Sequence, residues 1–165
     1  MMAMNPIAEN ELFKKNMGEV LGQVVWLERI IEEFIAEYFV VSNDYKRFLF
    51  HDAVLIDMGF EKKVNLFKQI CEREKYDSDE VRQTIAAIKH IQKVRNAVAH
   101  WQPMTMMDGR AELWKRTALW GKTDAIKLDE EGMKEFNRNG SIAAGGVFKL
   151  RTKFSTIYQN PDMFK

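Results

Sequence analysis

The sequence predicts a mainly α protein, an up-down helical bundle of about five helices with a small β-hairpin inserted before the last long helix. Three observations carry this expectation. Apolar residues recur every three or four positions over most of the 165 residues, the period of one helical stripe. Cap and stop residues divide that periodicity into segments. One stretch, residues 111–128, alternates instead with the period of a strand. The length suits one domain, 1–165, with a core of its own.

The first helix is expected from about Glu9 to Val41, where Phe13, Met17, Val20, Val24, Leu27, Ile31, Phe34 and Tyr38 form one stripe. Ser42-Asn43-Asp44 breaks the pattern and can cap the next helix. That second helix, over Tyr45–Met58, stops at Gly59. A third, Phe60–Glu74, turns Val64, Phe67, Ile70 and Cys71 inward and Lys62, Lys63, Lys68 and Arg73 largely outward. Asp77-Ser78-Asp79 caps a fourth, which carries Val81, Ile85, Ile88 and Val94 to about Trp101. Pro103 disfavours helical geometry at Gln102 and ends it there. The hairpin pairs Arg110–Leu119 with Ala125–Leu128. Asp129-Glu130-Glu131 opens the last helix, whose stripe from Met133 to Ile157 continues through Asn139-Gly140 and Gly145-Gly146. The spacing favours one long helix there, straight or kinked, over a turn at Asn139-Gly140.

Composition narrows the function classes. An apolar fraction of 46% and a charged fraction of 30% describe a folded globular chain. No apolar run reaches the length of a bilayer span, so no membrane partner is expected. Glu9 and Glu11 stand where a secretory leader would be apolar, and a cytoplasmic location is the default. Cys71, the single cysteine, falls in step with Val64 and Phe67 and reads as a small core residue. Net charge is +1, unevenly spread: residues 1–41 hold seven glutamates against three basic residues, a net of −4, leaving +5 on the remainder. Most such charges solvate helix faces, but the middle helices suggest a basic side.

The chemistry concentrates in Arg95-Asn96-Ala97-Val98-Ala99-His100-Trp101. A fixed cation, an amide and a group that titrates near neutrality are the parts needed to grip a phosphodiester and move protons. On a helix Asn96 and His100 lie about 40° apart, whereas Arg95 and His100 lie about 140° apart. One copy therefore does not focus its Arg and His on one atom. The helix end distorts, the long side chains reach round, or two copies meet across a two-fold axis. A homodimer with a shared cleft is the expected arrangement. The opposing expectation is structural: Arg95 paired with a carboxylate, Asn96 bonded to backbone and His100 capping the final carbonyls.

This motif, at the end of a helix in a small helical protein, resembles the Arg-x4–6-His signature of the HEPN (higher eukaryotes and prokaryotes nucleotide-binding) superfamily, in its prokaryotic Arg-Asn-x-x-Ala-His form. Phe60-Glu61-Lys62-Lys63-Val64-Asn65-Leu66-Phe67 looks like the preceding helix of such members. The resemblance implies a dimeric, metal-independent endoribonuclease of the toxin or antiphage-defence type, without cofactor and with an antitoxin protein as a candidate partner. It implies Arg95, Asn96 and His100 as catalytic residues. His100 would move protons while a ribose 2′-OH attacks the adjacent phosphorus, giving a 2′,3′-cyclic phosphate and a 5′-OH. Arg95 would hold the phosphate, and Asn96 would orient the histidine or bond the phosphate. Lys63, Lys93 and Trp101 are the candidate substrate-binding residues. The alternative is a noncatalytic binding or regulatory protein, resembling the mannitol operon repressor group.

Other signals are weaker. Trp120-Gly121-Lys122-Thr123 evokes a phosphate loop, but Arg116 stands where its first glycine belongs. His51, His90 and His100 have no zinc spacing, and no metal site is expected. Asp52, Asp57 and Glu61 read as solvated carboxylates, and Trp101 and Trp114 as rings that would stack a base if exposed, burial being the expectation for each.

Overall fold

The computed structural model describes residues 11–40, 44–106, 111–115 and 124–158. The fold is mainly α, as the periodicity predicts. Its elements in chain order are α1 (Glu11–Phe39), α2 (Asp44–Phe50) running into a π-helical stretch (His51–Leu55), α3 (Phe60–Arg73), α4 (Ser78–His100), β1 (Gln102–Thr105), β2 (Ala111–Trp114), β3 (Ala125–Lys127) and α5 (Glu130–Tyr158). The expected start of the first helix at Glu9, the cap residues Ser42 and Asn43, and the strand residues Arg116–Leu119 lie outside the described residues. Among the described residues no helix is long and apolar enough to cross a membrane.

The chain divides into two compact units. The first comprises Met1–Val24 and Lys89–Gly140, the second Val25–Ile88 and Ser141–Lys165. In the first, Phe13, Val20, Ile91, Val94, Ala97, Leu113, Leu128 and Phe136 are buried. Asn16 of α1 is buried as well, and its amide donates to the Leu128 carbonyl at 2.7 Å, which satisfies it. In the second, Ile31, Phe34, Ile35, Leu55, Phe67, Ile88, Val147 and Leu150 are buried, with the Phe34 and Phe67 rings edge-on at 4.9 Å. Cys71 is free and buried there, and burial pushes its thiol up to about 12. It behaves as the small apolar side chain its spacing predicts.

Caps appear where the sequence places them. The Asp77 carboxylate accepts from the backbone N–H of Asp79 at 2.8 Å and of Glu80 at 3.2 Å, starting α4. Asp129 accepts from the Gly132 N–H at 2.9 Å, starting α5. α5 then continues unbroken through both glycine sites. Asn139 stays helical and turns its amide to the Glu135 carbonyl at 2.9 Å. Gly146 is there for space: a Cβ at that position would collide with the Thr84 side chain on α4.

The insertion departs from expectation in one respect. It is a three-stranded antiparallel sheet, β1-β2-β3, not a two-stranded hairpin. The added strand, β1, sits directly after Trp101 and pairs Gln102 with Trp114 and Thr105 with Ala111. It contains Pro103, which in the sequence marks only the stop of the fourth helix. β1 is an edge, and a missing N–H costs little on the outer side of an edge. The described part of β2 is Ala111–Trp114, and Arg110 and Arg116–Leu119 of the expected strand lie outside the described residues.

Candidate phosphate-binding face on the fourth helix

The motif occupies the last two turns of α4, and the helix keeps its regular form up to His100. The Trp101 N–H closes the final turn on the Ala97 carbonyl at 2.8 Å. Helix-end distortion, one of the three ways of reconciling Arg95 with His100, is therefore not used. Ala97 and Val98 are buried in the core of the first unit, which fixes the rotation of the helix. Arg95, Asn96, Ala99 and His100 are consequently all exposed.

Arg95 donates from Nη1 to the Asn96 Oδ1 at 3.2 Å. Among the described residues no carboxylate pairs with Arg95, and no hydrogen bond engages the His100 ring. None of the three bonds expected of purely structural roles is thus present among those residues. Ala99 lies between Arg95 and His100 around the helix, about 40° from the former and about 100° from the latter. Its methyl group leaves a shallow gap between the long side chains.

The same outward face extends back along the helix. Lys89, Lys93, Asn96 and His100 follow the spacing of four, three and four residues, all are exposed, and they fall within about 60° of one another. Their Cα atoms span about 16 Å of helix axis. Lys93 is a candidate from the sequence, where Lys89 counts only toward the basic side of the middle helices; the position of Lys89 seven residues before Asn96 puts it on the same face. Lys93 also lines a cleft of about 520 Å³ formed by α4, β3 with Lys127, and the start of α5. Asp129, Glu131 and Glu135 make one side of it acidic, and His90 Nδ1 is 3.8 Å from Glu135. Trp101 is half-buried at the junction with β1. Trp114 is half-buried too, its Nε1 donating to Glu112 at 3.1 Å.

Lys63 sits elsewhere, in the second unit. It is buried, with a relative exposure of 3%, and its ammonium donates to Glu28 and Glu32 at 2.5 Å each. The expected outward orientation is overturned at this lysine. Phe67 and Ile70 follow it by four and seven residues, so it shares their inward face, and two α1 carboxylates one turn apart neutralise it. Glu32 also meets His51 Nε2 at 3.0 Å, and Asp52 meets His51 Nδ1 at 3.2 Å. These two carboxylate contacts hold the imidazole above its ordinary 6.5, Asp52 contributing most and Glu32 next. Sequence reading missed this relay, whose only trace is the four-residue spacing of Glu28 and Glu32. Asp52, Asp57 and Glu61 are exposed. Among the described residues no group of three His, Cys, Asp or Glu side chains could hold a metal ion. The Trp120–Thr123 stretch lies outside those residues.

No family model, curated protein or solved structure matches the chain.

Proposed function

We propose that the exposed end of α4 is the working surface of a HEPN-like, metal-independent endoribonuclease. The observation that carries this reading is that Arg95, Asn96 and His100 all face solvent and, among the described residues, bond to nothing that holds the fold. An RNA phosphate seated over Ala99 meets the Asn96 amide and His100 ring of that protomer and the Arg95 guanidinium of a second copy. His100 takes the proton of the 2′-hydroxyl as that oxygen attacks phosphorus, the bond to the 5′-oxygen breaks, and a proton is returned to that leaving oxygen. The products are a 2′,3′-cyclic phosphate and a 5′-OH end. Arg95 stabilises the charge that grows on the non-bridging oxygens. Lys89 and Lys93 hold phosphates further along the strand.

Because Arg95 and His100 diverge around one helix, the reading includes a two-fold dimer in which each phosphate is held by Arg95 of one protomer and His100 of the other. An antitoxin protein that covers this face is the natural regulator of such a surface.

The test is incubation of the purified protein with labelled single-stranded RNA in EDTA. Cleavage to cyclic-phosphate ends, lost by about 10²-fold or more in H100A, is the expected result. Binding of the RNA without cleavage, unchanged in H100A, would point to the noncatalytic regulatory alternative. Neither binding nor cleavage would reject both.

A further inference from the structure

Segment 44–58 in the second unit is held more loosely than the helices around it. α2 buries none of its residues, and the π-helical stretch buries Leu55 alone. Tyr45, Phe48, Leu49, Val54 and Ile56 are all exposed. Besides Leu55, the segment's attachments include the Phe50 ring 5.6 Å from Phe39, Arg47 3.7 Å from Glu37, and His51 against Glu32. A π-helical stretch is itself a local departure from the favoured helix, common where a segment moves or works.

The His51 contact differs in kind from the others because it depends on a proton. The imidazole stands between Glu32 of α1 and Asp52 of its own segment, with one ring nitrogen toward each. A doubly protonated ring donates to both. A neutral ring carries a single N–H, so one carboxylate then faces a lone pair. The surrounding charges set the sign. Glu28, Arg29, Glu32 and Glu33 of α1 and Lys63 of α3 line the same cleft of about 580 Å³ as His51, and Arg47 lies one turn earlier on its own helix. Lys63 is taken up by Glu28 and Glu32, Arg151 and Arg29 pair with Glu33, and Arg47 pairs with Glu37 and Asp44. The carboxylates in direct contact with the ring are thus the dominant influence on it.

We propose that His51 is a proton-operated clamp, which ties segment 44–58 to α1 when the ring is charged and loosens it when the ring is neutral. Phe48, His51 and Ile56 line the cleft opposite α1, so release of the segment opens that cleft. The sign follows from the raised titration of His51. The closing contribution is complete below the ordinary 6.5 and is lost as pH rises through the folded-state value.

Amide hydrogen exchange of the full chain between about pH 5.5 and 9, corrected for intrinsic exchange, reads the clamp directly. Opening of 44–58 should increase on the alkaline side, by about tenfold for each pH unit by which His51 is displaced from its ordinary value. α3 should not follow. H51Q should hold the segment in the loose state at every pH, and H51R should remove the alkaline loosening. A wild-type profile that is flat with pH, a profile that survives in H51Q, or a parallel rise over the whole chain would each overturn the proposal. The His100 and His90 rings are intact in H51Q, so a surviving profile would belong to them.

Discussion

At the scale of the residue, the motif depends on which side chains stay short as much as on which carry charge. Ala99 is exposed beside His100, and on the proposed reading the phosphate passes over its methyl group. Ala99→Glu places a carboxylate there, repelling the substrate and offering Arg95 an internal partner. The expected outcome is a fall in RNA cleavage and binding of about tenfold or more with an unchanged melting temperature. Cleavage at the wild-type rate would show that the phosphate does not sit over this position. His100→Ala makes a second residue-scale prediction: activity lost, melting temperature within about 1 °C of wild type, because the ring is exposed and among the described residues holds nothing. The identities at this face were readable from the hexapeptide alone. What the hexapeptide did not give was their freedom, since the same residue types at a helix end serve equally well as a cap and a salt bridge.

At the scale of the element, the ion relay between α1 and α3 carries the sharpest expectation. Lys63 is deep and its two partners are less so, Glu32 at 12% and Glu28 at 28% side-chain exposure. Lys63→Met leaves two neighbouring carboxylates without their cation, and about 2–3 kcal/mol of stability should be lost in a denaturant titration, at or below the usual cost of breaking a buried pair because Glu28 is partly solvated. Adding Glu32→Gln to Lys63→Met should restore part of it by removing the repulsion. If the double variant is no better than the single, the relay is not an electrostatic unit. Elements were largely legible from periodicity: the bounds of α3, α4 and α5 come from apolar spacing and from Asp77 and Asp129 as caps. Two features escaped. The π-helical stretch has no simple sequence signature. β1 escaped because Pro103 reads locally as a helix stop, and being an edge that tolerates proline is a property of the sheet.

At the scale of the whole molecule, two measurements bear on assembly and on acid stability. If each phosphate is held by Arg95 of one protomer and His100 of its partner, R95A and H100A are each inactive alone. A mixed dimer then regains one intact site of two. Random reassortment of equal amounts should return about a quarter of wild-type activity. No recovery, with sedimentation showing that mixed dimers form, would mean that each site is built within one chain. Acid stability depends on Glu80, which receives Lys149 and Lys153 at 2.6 Å each and is held below its ordinary 4.5 by those hydrogen bonds, Lys149 first. A carboxylate with a lowered folded-state value stabilises the fold above its unfolded value, and the benefit disappears as pH falls through the folded one. The melting temperature should therefore decline below about pH 4.5, and K149Q/K153Q should flatten that decline. An identical acid limb in the variant would assign it to other carboxylates.

The amino-acid sequence by itself determined the helical class, the order of the helices, the caps at Asp77 and Asp129, the core role of Cys71 and the location of the Arg95–His100 motif at a helix end. These are local properties, fixed by spacing along one helix or by one side chain and the next few amides. Only the tertiary structure decided that Lys63 is buried while Lys89 and Lys93 are exposed, that Gly146 makes room for Thr84, and that the motif residues face water. Each of those depends on what another element places opposite. Lysines are alike in a sequence, and two glutamates from a distant helix make one of them a core residue.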